Sequence, residues 1–404
     1  MLRIDSVIRG TEIQPRPYQR IIVGKVVDMF TGQYVNGAGE TEQECRSVMI
    51  ESPTGSGKTV MAFMAAKILQ SHYPDMVIGW IAMRRDLLRQ AKRANKKLGI
   101  NVENIHYVSM FDKHPESLLL AKQAGKPILV VADESQHDAA NSMTHLHNIL
   151  EPTKILGLTA TPFRTDRVKL CFDKIVKDAG IHQLIQDGYL SAYRHFSLPE
   201  WSVETVADFY CREPDRWGRS IFYFLTKEDC RNLRDILIRN GHFERYQRAL
   251  RDRDEKGIKT FDPIIDGDSE RELQLDAYLN GDSDKLINCM VLTEGFDDPS
   301  LETVWVRDSA KGPTMQMAGR VFRKFQGLDL KNVVQSRQTN WPMIKTALPS
   351  EQYLWQSDEW RSLKINPHLN HINNAARMAI AQADVSMPTY IDSRRSKKSR
   401  RVSF

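Results

Sequence analysis

The sequence predicts an α/β fold of two tandem parallel-sheet domains followed by a small C-terminal extension. Three observations carry this. The chain alternates strand-like and helix-like segments in two successive series. Its strand-like segments, such as VIGWIA (77–82) and PILVVAD (127–133), are unbroken apolar runs, the pattern of parallel strands covered on both faces. And a glycine-rich loop, ESPTGSGKTV (51–60), lies between one such strand and the helical run MAFMAAKIL.

With 404 residues, 41% hydrophobic and 27% charged, the chain is long enough for two or three domains with cores of their own. No apolar run approaches the ~20 residues that span a bilayer, and the opening MLRIDSVIRGTEIQ lacks a signal peptide's apolar segment. The five cysteines are scattered without a CxxC pair, which argues against zinc or a disulfide framework and fits a reducing cytosol. A cytoplasmic, monomeric protein is expected, either cellular or phage-encoded and acting in a host. The tail RRSKKSRR (394–401) carries six Lys/Arg, equal to the whole net charge of +6. The remainder is formally neutral, so a polyanion must be met by local patches, with or without the tail.

The first series runs RSVMIES (46–52), a helix from Thr59, VIGWIA, a helix from Arg84, NIHYVSM (104–110), KPILVVADE (126–134) and TKILGLTAT (153–161). The second runs SIFYFLT (220–226), a helix to about Gly241, FDPIIDG (261–267), a helix from Ser269, KLINCMVLT (285–293) and LETVWVRD (301–308). FSLPEWSVETV (196–206) between them reads as a hinge, and TGQYVNGAGETEQE (31–44) as a surface loop. The expected division is a first domain over 1–197, a linker over 198–206, a second domain over 207–335 and an extension over 336–404. That extension, with Trp341, Trp355 and Trp360 at no clear period, reads as helical and partly irregular. Its tryptophans are expected to stack unpaired bases or to pack on the second domain. The tail either follows backbone phosphates or keeps the chain soluble.

The glycine-rich loop has the context of a phosphate cradle. Thr54, Gly55, Ser56, Gly57, Lys58 and Thr59 form the candidate nucleotide-binding set, with backbone N–H groups and a helix N-terminus facing the anion. Lys58 is expected at the β- and γ-phosphates and the Thr59 hydroxyl on Mg²⁺. Asp133 and Glu134 follow five apolar residues and so emerge at the carboxyl end of a buried strand, where ligands of open α/β sheets bind. Adjacent side chains point to opposite sides, so the two acids can divide the work. Asp133 is expected to hold the metal through water, and Glu134 to orient and deprotonate the attacking water.

MQMAGRVFRK (315–324) is a third feature. At 100° per residue Gln316, Arg320 and Arg323 fall on one narrow stripe among core-like neighbours. Such a stripe is either a solvated polar face or one side of an anion site completed by another part of the chain.

SPTGSGKT, VADESQ, LGLTATPFR (156–164), VLTEGFDDP (291–299) and QMAGRVFR (316–323) occur in this order. The set closely resembles motifs I, II, III, V and VI of the superfamily 2 helicases, the DExD/H-box group of nucleic-acid-dependent ATPases, over residues 15–326. The resemblance implies two RecA-like domains of the P-loop NTPase class closing over one ATP. It makes Arg320 and Arg323 arginine fingers and brings Gln316 toward the γ-phosphate. Gln19 in PRPYQ (15–19) resembles the adenine-reading residue, and Gly295 and Asp297 the motif V residues near the ribose. Thr159 and Thr161 resemble the motif III residues that couple the ATP site to the strand. Arg84 and Arg85 resemble motif Ia contacts to the nucleic-acid backbone, with Thr226 and Thr293 as second-domain contacts; such contacts carry no sequence preference.

Two departures mark the chain. The fourth residue of the DExx box is Gln136, which is expected to bond across the interdomain cleft, and motif III is TAT. With the Gln that opens motif VI, this is more similar to DNA-directed members such as restriction-enzyme motor subunits, RecG, RadD and phage UvsW. DKIVKDAGIHQLIQDGYLSAYRHF (173–196) also resembles the segment after motif III in those groups. No specificity, nuclease or zinc module is expected beside the core. The implied activity is ATP-driven unwinding or remodelling of duplex or branched DNA in recombination, repair or replication, with ATP and Mg²⁺. An RNA helicase, or a non-unwinding motor subunit of a restriction or defence assembly, would use the same motifs.

Overall fold

The computed structural model describes residues 4–137, 141–160, 172–178, 180–265, 270–289 and 298–364. Within them the strands form two sheets. In the first lobe β1 (Ser47–Glu51), β2 (Val77–Ala82), β3 (Ile105–Ser109), β4 (Ile128–Asp133), β5 (Lys154–Thr159) and β6 (Lys174–Val176) lie in the order β3-β2-β4-β5-β1-β6. Every pairing there is parallel. The second sheet contains β7 (Ala192–Leu198), β8 (Ser220–Phe224), β9 (Ile264–Ile265), β10 (Lys285–Cys289), β11 (Thr303–Trp305), β12 (Leu330–Ser336), β13 (Gln352–Gln356) and β14 (Glu359–Ser362). Its order is β14-β13-β7-β12-β11-β8-β10-β9, parallel except for the β13–β14 hairpin.

The unbroken apolar runs have the expected consequence: all of β2 is buried, and β4 is buried up to Asp133. Helices cover both faces, and Phe63 of the helix Lys58–His72 stacks on Trp80 of β2 at 4.6 Å. Because the strands are parallel, their carboxyl ends form one edge. On that edge of the first sheet β1 delivers the glycine-rich loop and β4 delivers Asp133 and Glu134.

The hinge expected at 196–206, and the first-domain boundary at 197, are corrected. Residues 192–198 are β7, which pairs with β12 over seven positions in the second sheet. The helix Val203–Arg212 follows, its N-terminus capped by Ser202 Oγ accepting from Thr205 N at 3.1 Å. The chain therefore changes sheets between β6 and β7, through the helix Ile181–Gln186 and the turn after it. His195 disguised the strand. It is buried, its Nε2 lies 3.0 Å from Gln335 Oε1, and burial pushes its pKa down to about 4, so a charge-capable residue serves as a neutral core group.

The helical reading of the extension is also corrected for residues 352–362, which form the β13–β14 hairpin, with β13 parallel to β7. Ser357 and Asp358 turn it with φ of 54° and 57°, the two successive left-handed residues of a type I′ turn. A Ser-Asp pair is a weak sequence signal for that turn. Trp355 and Trp360 face each other across the hairpin at 5.1 Å, and Trp360 also meets Phe196 at 4.8 Å and Phe209 at 5.3 Å. These two tryptophans pack on the second lobe. The basic tail lies outside the described residues.

Trp360 Nε1 donates to Glu213 Oε2 at 2.8 Å, so this ring closes the second core with both packing and a hydrogen bond. Trp360→Ala is expected to cost about 3 kcal/mol, the low end for truncating a packed aromatic. A fall in the urea midpoint of unfolding checks this; a surface extension would leave the midpoint unchanged.

Candidate nucleotide site between the two sheets

The cradle begins where β1 ends. Ser52 N donates to Thr159 O at 3.0 Å, tying the loop to β5, and Ser52 Oγ donates to Ser56 Oγ at 2.7 Å. Gly57 starts the helix Lys58–His72 at φ 85°, a conformation L side chains rarely adopt, and a Cβ there would lie 2.5 Å from Gln19 Nε2. The Ser56 carbonyl accepts from Tyr18 Oη at 2.5 Å and from Gln19 Nε2 at 2.8 Å, while Gln19 Oε1 accepts from Arg16 N at 2.9 Å. Gln19, expected to read adenine, thus uses both ends of its amide to hold the loop and its own helix start. Sequence reasoning missed Tyr18, Arg16 and Tyr189. The Arg16 guanidinium lies 5.1 Å from the Tyr189 ring and Tyr18 lies 5.6 Å from it with the two rings tilted by 59°, a cationic-aromatic platform beside the cradle.

Lys58 Nζ donates to Ser52 O at 3.1 Å and Pro53 O at 3.4 Å. Burial pushes its pKa down; Glu134 and Asp133 oppose this, and the charges of Arg323 and Arg320 add to it. The cradle's lysine, the two acids and the two second-lobe arginines therefore share one electrostatic site. Thr59 follows Lys58 in the first turn of the helix.

Glu134 stands just past β4 at φ 54°, an uncommon conformation for a side-chain-bearing residue, and its N–H donates to Asp133 Oδ1 at 3.1 Å. Gln136 Nε2 donates to Glu134 Oε2 at 3.1 Å, and Thr159 Oγ1 donates to Gln136 Oε1 at 2.8 Å. Within the first lobe the Gln136 amide thus joins the acid to Thr159 of motif III, Gln136 and Thr159 both being expected coupling residues. Thr161, the other expected coupling residue, lies outside the described residues.

Motif VI departs from the single helix that its spacing predicts. The helix Lys311–Ala318 gives way to a 3₁₀ turn, Gly319–Phe322, and Arg323 is extended. The interlobe approach survives the change. A Cβ added at Gly319 would lie 3.0 Å from Thr54 Cβ and Oγ1, and one at Gly55 would lie 3.3 Å from Arg323 Cγ and from Leu190 Cδ2. Gln316 is buried, and burial pushes the Arg323 guanidinium down to about 10. Arg320 is bonded to the Tyr223 hydroxyl on β8, where burial raises the phenol and the arginine opposes it. The turn before β7 was not legible as part of the site, yet its Leu190 reaches the cradle and Ser191 N donates to Phe322 O at 2.8 Å.

The candidate nucleic-acid contacts are more dispersed. Arg84 is half-buried at the N-cap of the helix Arg85–Lys97, and Arg85 is exposed at its first position, both just past β2. Arg89 of that helix pairs with Glu272 of the second lobe, both exposed. Thr226, just past β8, caps the helix Lys227–Arg239 by accepting from Asp229 N at 3.0 Å. Thr293, Gly295 and Asp297 lie outside the described residues. Trp341 differs from its two packed counterparts: it is 40% exposed, with Lys311 Nζ 5.7 Å from its ring.

The fold and this site define an α/β protein of two parallel sheets with a glycine-rich cradle and a cluster of cations where the lobes meet. Residues 12–117 match the family described as type III restriction enzyme, res subunit. A 51.5 kDa protein of a Lactococcus phage is 26% identical over 262 residues, covering 62% of this chain and 56% of its own length. A Saccharomyces cerevisiae protein provisionally named ATP-dependent helicase IRC3 is 24% identical over 340 residues, covering 72% of this chain and 48% of its own. This chain thus spans about half the length of the curated relatives it matches. Among solved structures, the DNA-bound type ISP restriction-modification enzyme LlaBIII aligns at TM-score 0.55 and 14% identity, covering 82% of this chain and 28% of that one. S. cerevisiae Dbp5 bound to RNA and ADP-BeF3 aligns at 0.50 and 15%, covering 84% and 90%. The chain is thus similar to proteins named as ATP-dependent helicases and as restriction-enzyme subunits, and it shares its two-sheet fold with the solved structures. Among the described residues no helix is long and apolar enough to cross a membrane.

Gly57→Ala tests the cradle itself. Because both the positive φ and the Gln19 amide oppose a Cβ, nucleotide affinity is expected to fall about tenfold or more, with a stability loss of about 1–2 kcal/mol. Fluorescence titration with a labelled ADP, beside a thermal melt, reads the two separately.

Proposed function

We propose that this chain is a nucleic-acid-stimulated ATPase whose two lobes grip one triphosphate, acting on duplex or branched DNA. The observation that carries the reading is the approach of Gly319 and Arg323 to Thr54 and Gly55, which sets second-lobe cations beside the first-lobe cradle. A cluster of cations that includes the desolvated Lys58 and Arg323 favours an anion with several charges at that point.

In this reading the backbone N–H groups of 54–59 and Lys58 hold the phosphates, and the Arg16–Tyr189 platform accepts the base. Asp133 and Thr59 would hold Mg²⁺, which the acids near Lys58 suit by charge; the ion's part is to neutralise charge shared by the β- and γ-phosphates. Glu134 takes a proton from the attacking water as its oxygen bonds to the γ-phosphorus and the bond to the bridging oxygen breaks, yielding ADP and phosphate. Arg320 and Arg323 stabilise the charge developing on the transferred group. The Glu134–Gln136–Thr159 relay reports the state of the acid to motif III. Gly295 and Asp297 complete the ribose end, and Arg84, Arg85, Thr293 and Trp341 contact the nucleic acid. The first lobe extends to the turn before β7, and the second takes in both β7 and the hairpin.

The Gln that opens motif VI and the TAT motif favour DNA in recombination, repair or replication intermediates. A second reading, a non-unwinding motor subunit of a restriction or defence assembly, is favoured by the match to a restriction-enzyme subunit family.

Glu134→Gln is expected to lower ATP turnover about 10²–10⁴-fold with nucleotide affinity kept, and Arg323→Ala to lower it about 10³-fold or more. Steady-state turnover and nucleotide titration check both. Matched single-stranded, duplex, forked and four-way DNA and RNA, assayed for ATPase stimulation and strand displacement, test the partner. Turnover indifferent to every nucleic acid sinks the proposal, stimulation by RNA in preference sinks the DNA assignment, and stimulation without displacement selects the motor-subunit reading.

A further inference from the structure

We propose that Lys331 is a positioning residue for the Arg323 guanidinium: its ammonium ties the peptide that carries Arg323 to the peptide at Pro299, where motif V ends. The inference rests on the ATPase reading above and adds a residue that none of the helicase motifs contains.

Lys331 stands in β12, opposite Tyr193 of β7, and is wholly buried. Its Nζ donates to Arg323 O at 2.7 Å and to Pro299 O at 2.6 Å. The Arg323 carbonyl accepts a second bond, from Ser191 Oγ at 3.0 Å. Arg323 leaves the 3₁₀ turn at φ −72° and ψ 132°. Past that turn no helical hydrogen bond fixes the peptide's direction, so the partners of its carbonyl do. The donors come from the two segments that must agree when the lobes close: Ser191 in the turn joining the lobes, and Lys331 in the second sheet.

A buried ammonium is costly, and an apolar residue in the same strand would stabilise the fold at least as well. What the lysine adds is a charged clamp on two carbonyls. Asp298, beside Pro299, opposes the desolvation, and its carboxylate is held by Arg219 Nε at 2.6 Å and by Ser300 N at 2.9 Å. Around Lys331, Asp298 and Glu302 favour the charged form and Arg323 disfavours it, Arg219 being the partner of Asp298. Burial outweighs these and brings the ammonium down to about 8. The proton is held below that pH and lost above it. The clamp therefore weakens as pH rises through about 8, and turnover should show an alkaline limb there.

The full-length chain is assayed with saturating stimulating nucleic acid as wild type, Lys331→Met, Ser191→Ala, Arg323→Ala and the two doubles with Arg323→Ala. Lys331→Met is expected to lower kcat about tenfold with KM for ATP within about threefold, and Ser191→Ala to lower kcat about threefold. Each double should be no slower than Arg323→Ala alone, and the alkaline limb should vanish in Lys331→Met. Unchanged kcat in folded Lys331→Met, or losses that multiply in the doubles, overturns the inference. If Lys331→Met fails to fold, the Ser191–Arg323 pair decides: coupling upholds it and multiplying losses overturn it. A wild type with no stimulated turnover removes the ATPase reading itself, a result distinct from either.

Discussion

The structure depends on bringing like charges together out of water. Lys58, Arg320 and Arg323 act on one another across the interlobe junction, and Asp133 and Glu134 are the acids in range of Lys58. Burial lowers both Lys58 and Arg323, so the site already bears part of the desolvation that a bound phosphate chain would relieve. A surface cluster of the same residues would be screened and inert. Here Lys58 and Arg323 are buried, so that screening is reduced.

That arrangement is held by glycine turns of the backbone and by side chains that bond backbone carbonyls. Gly57 curls the loop under the Gln19 amide, and Gly319 brings the motif VI turn against Thr54. Tyr18 and Gln19 converge on a single carbonyl, that of Ser56. The short turn between the lobes sends Leu190 to the cradle and Ser191 to motif VI. The interlobe turn therefore ties the residue that packs on the cradle to the peptide that carries Arg323.

Much of the fold was legible, and the failures have specific causes. Apolar runs identified β1 to β5 of the first sheet because both of its faces are covered, while the three-residue β6 was too short to be read. β7 was hidden by His195, a titratable residue that the core keeps neutral against Gln335. The hairpin was hidden because its turn uses Ser357 and Asp358 in place of the Asn-Gly or Asp-Gly pair. Its tryptophans pair across strands and so follow no helical period. The motif VI stripe was counted along a helix that stops at Ala318, yet Arg320 and Arg323 beyond it still lie within electrostatic range of Lys58.

By itself the sequence determined which chemical groups are present and where they fall on parallel strands. The loop at 52–59, the acids at 133 and 134 and the arginines at 320 and 323 are local patterns, and local patterns survive in one dimension. Only the tertiary structure decided what each group touches. Gln19 bonds the loop, Gln136 bonds Glu134, Thr226 caps a helix and Lys331 bonds two carbonyls. Those assignments join residues from 2 to 37 positions apart, and a hydrogen bond's partner is set by which surfaces packing brings together, a property no spacing along the chain encodes.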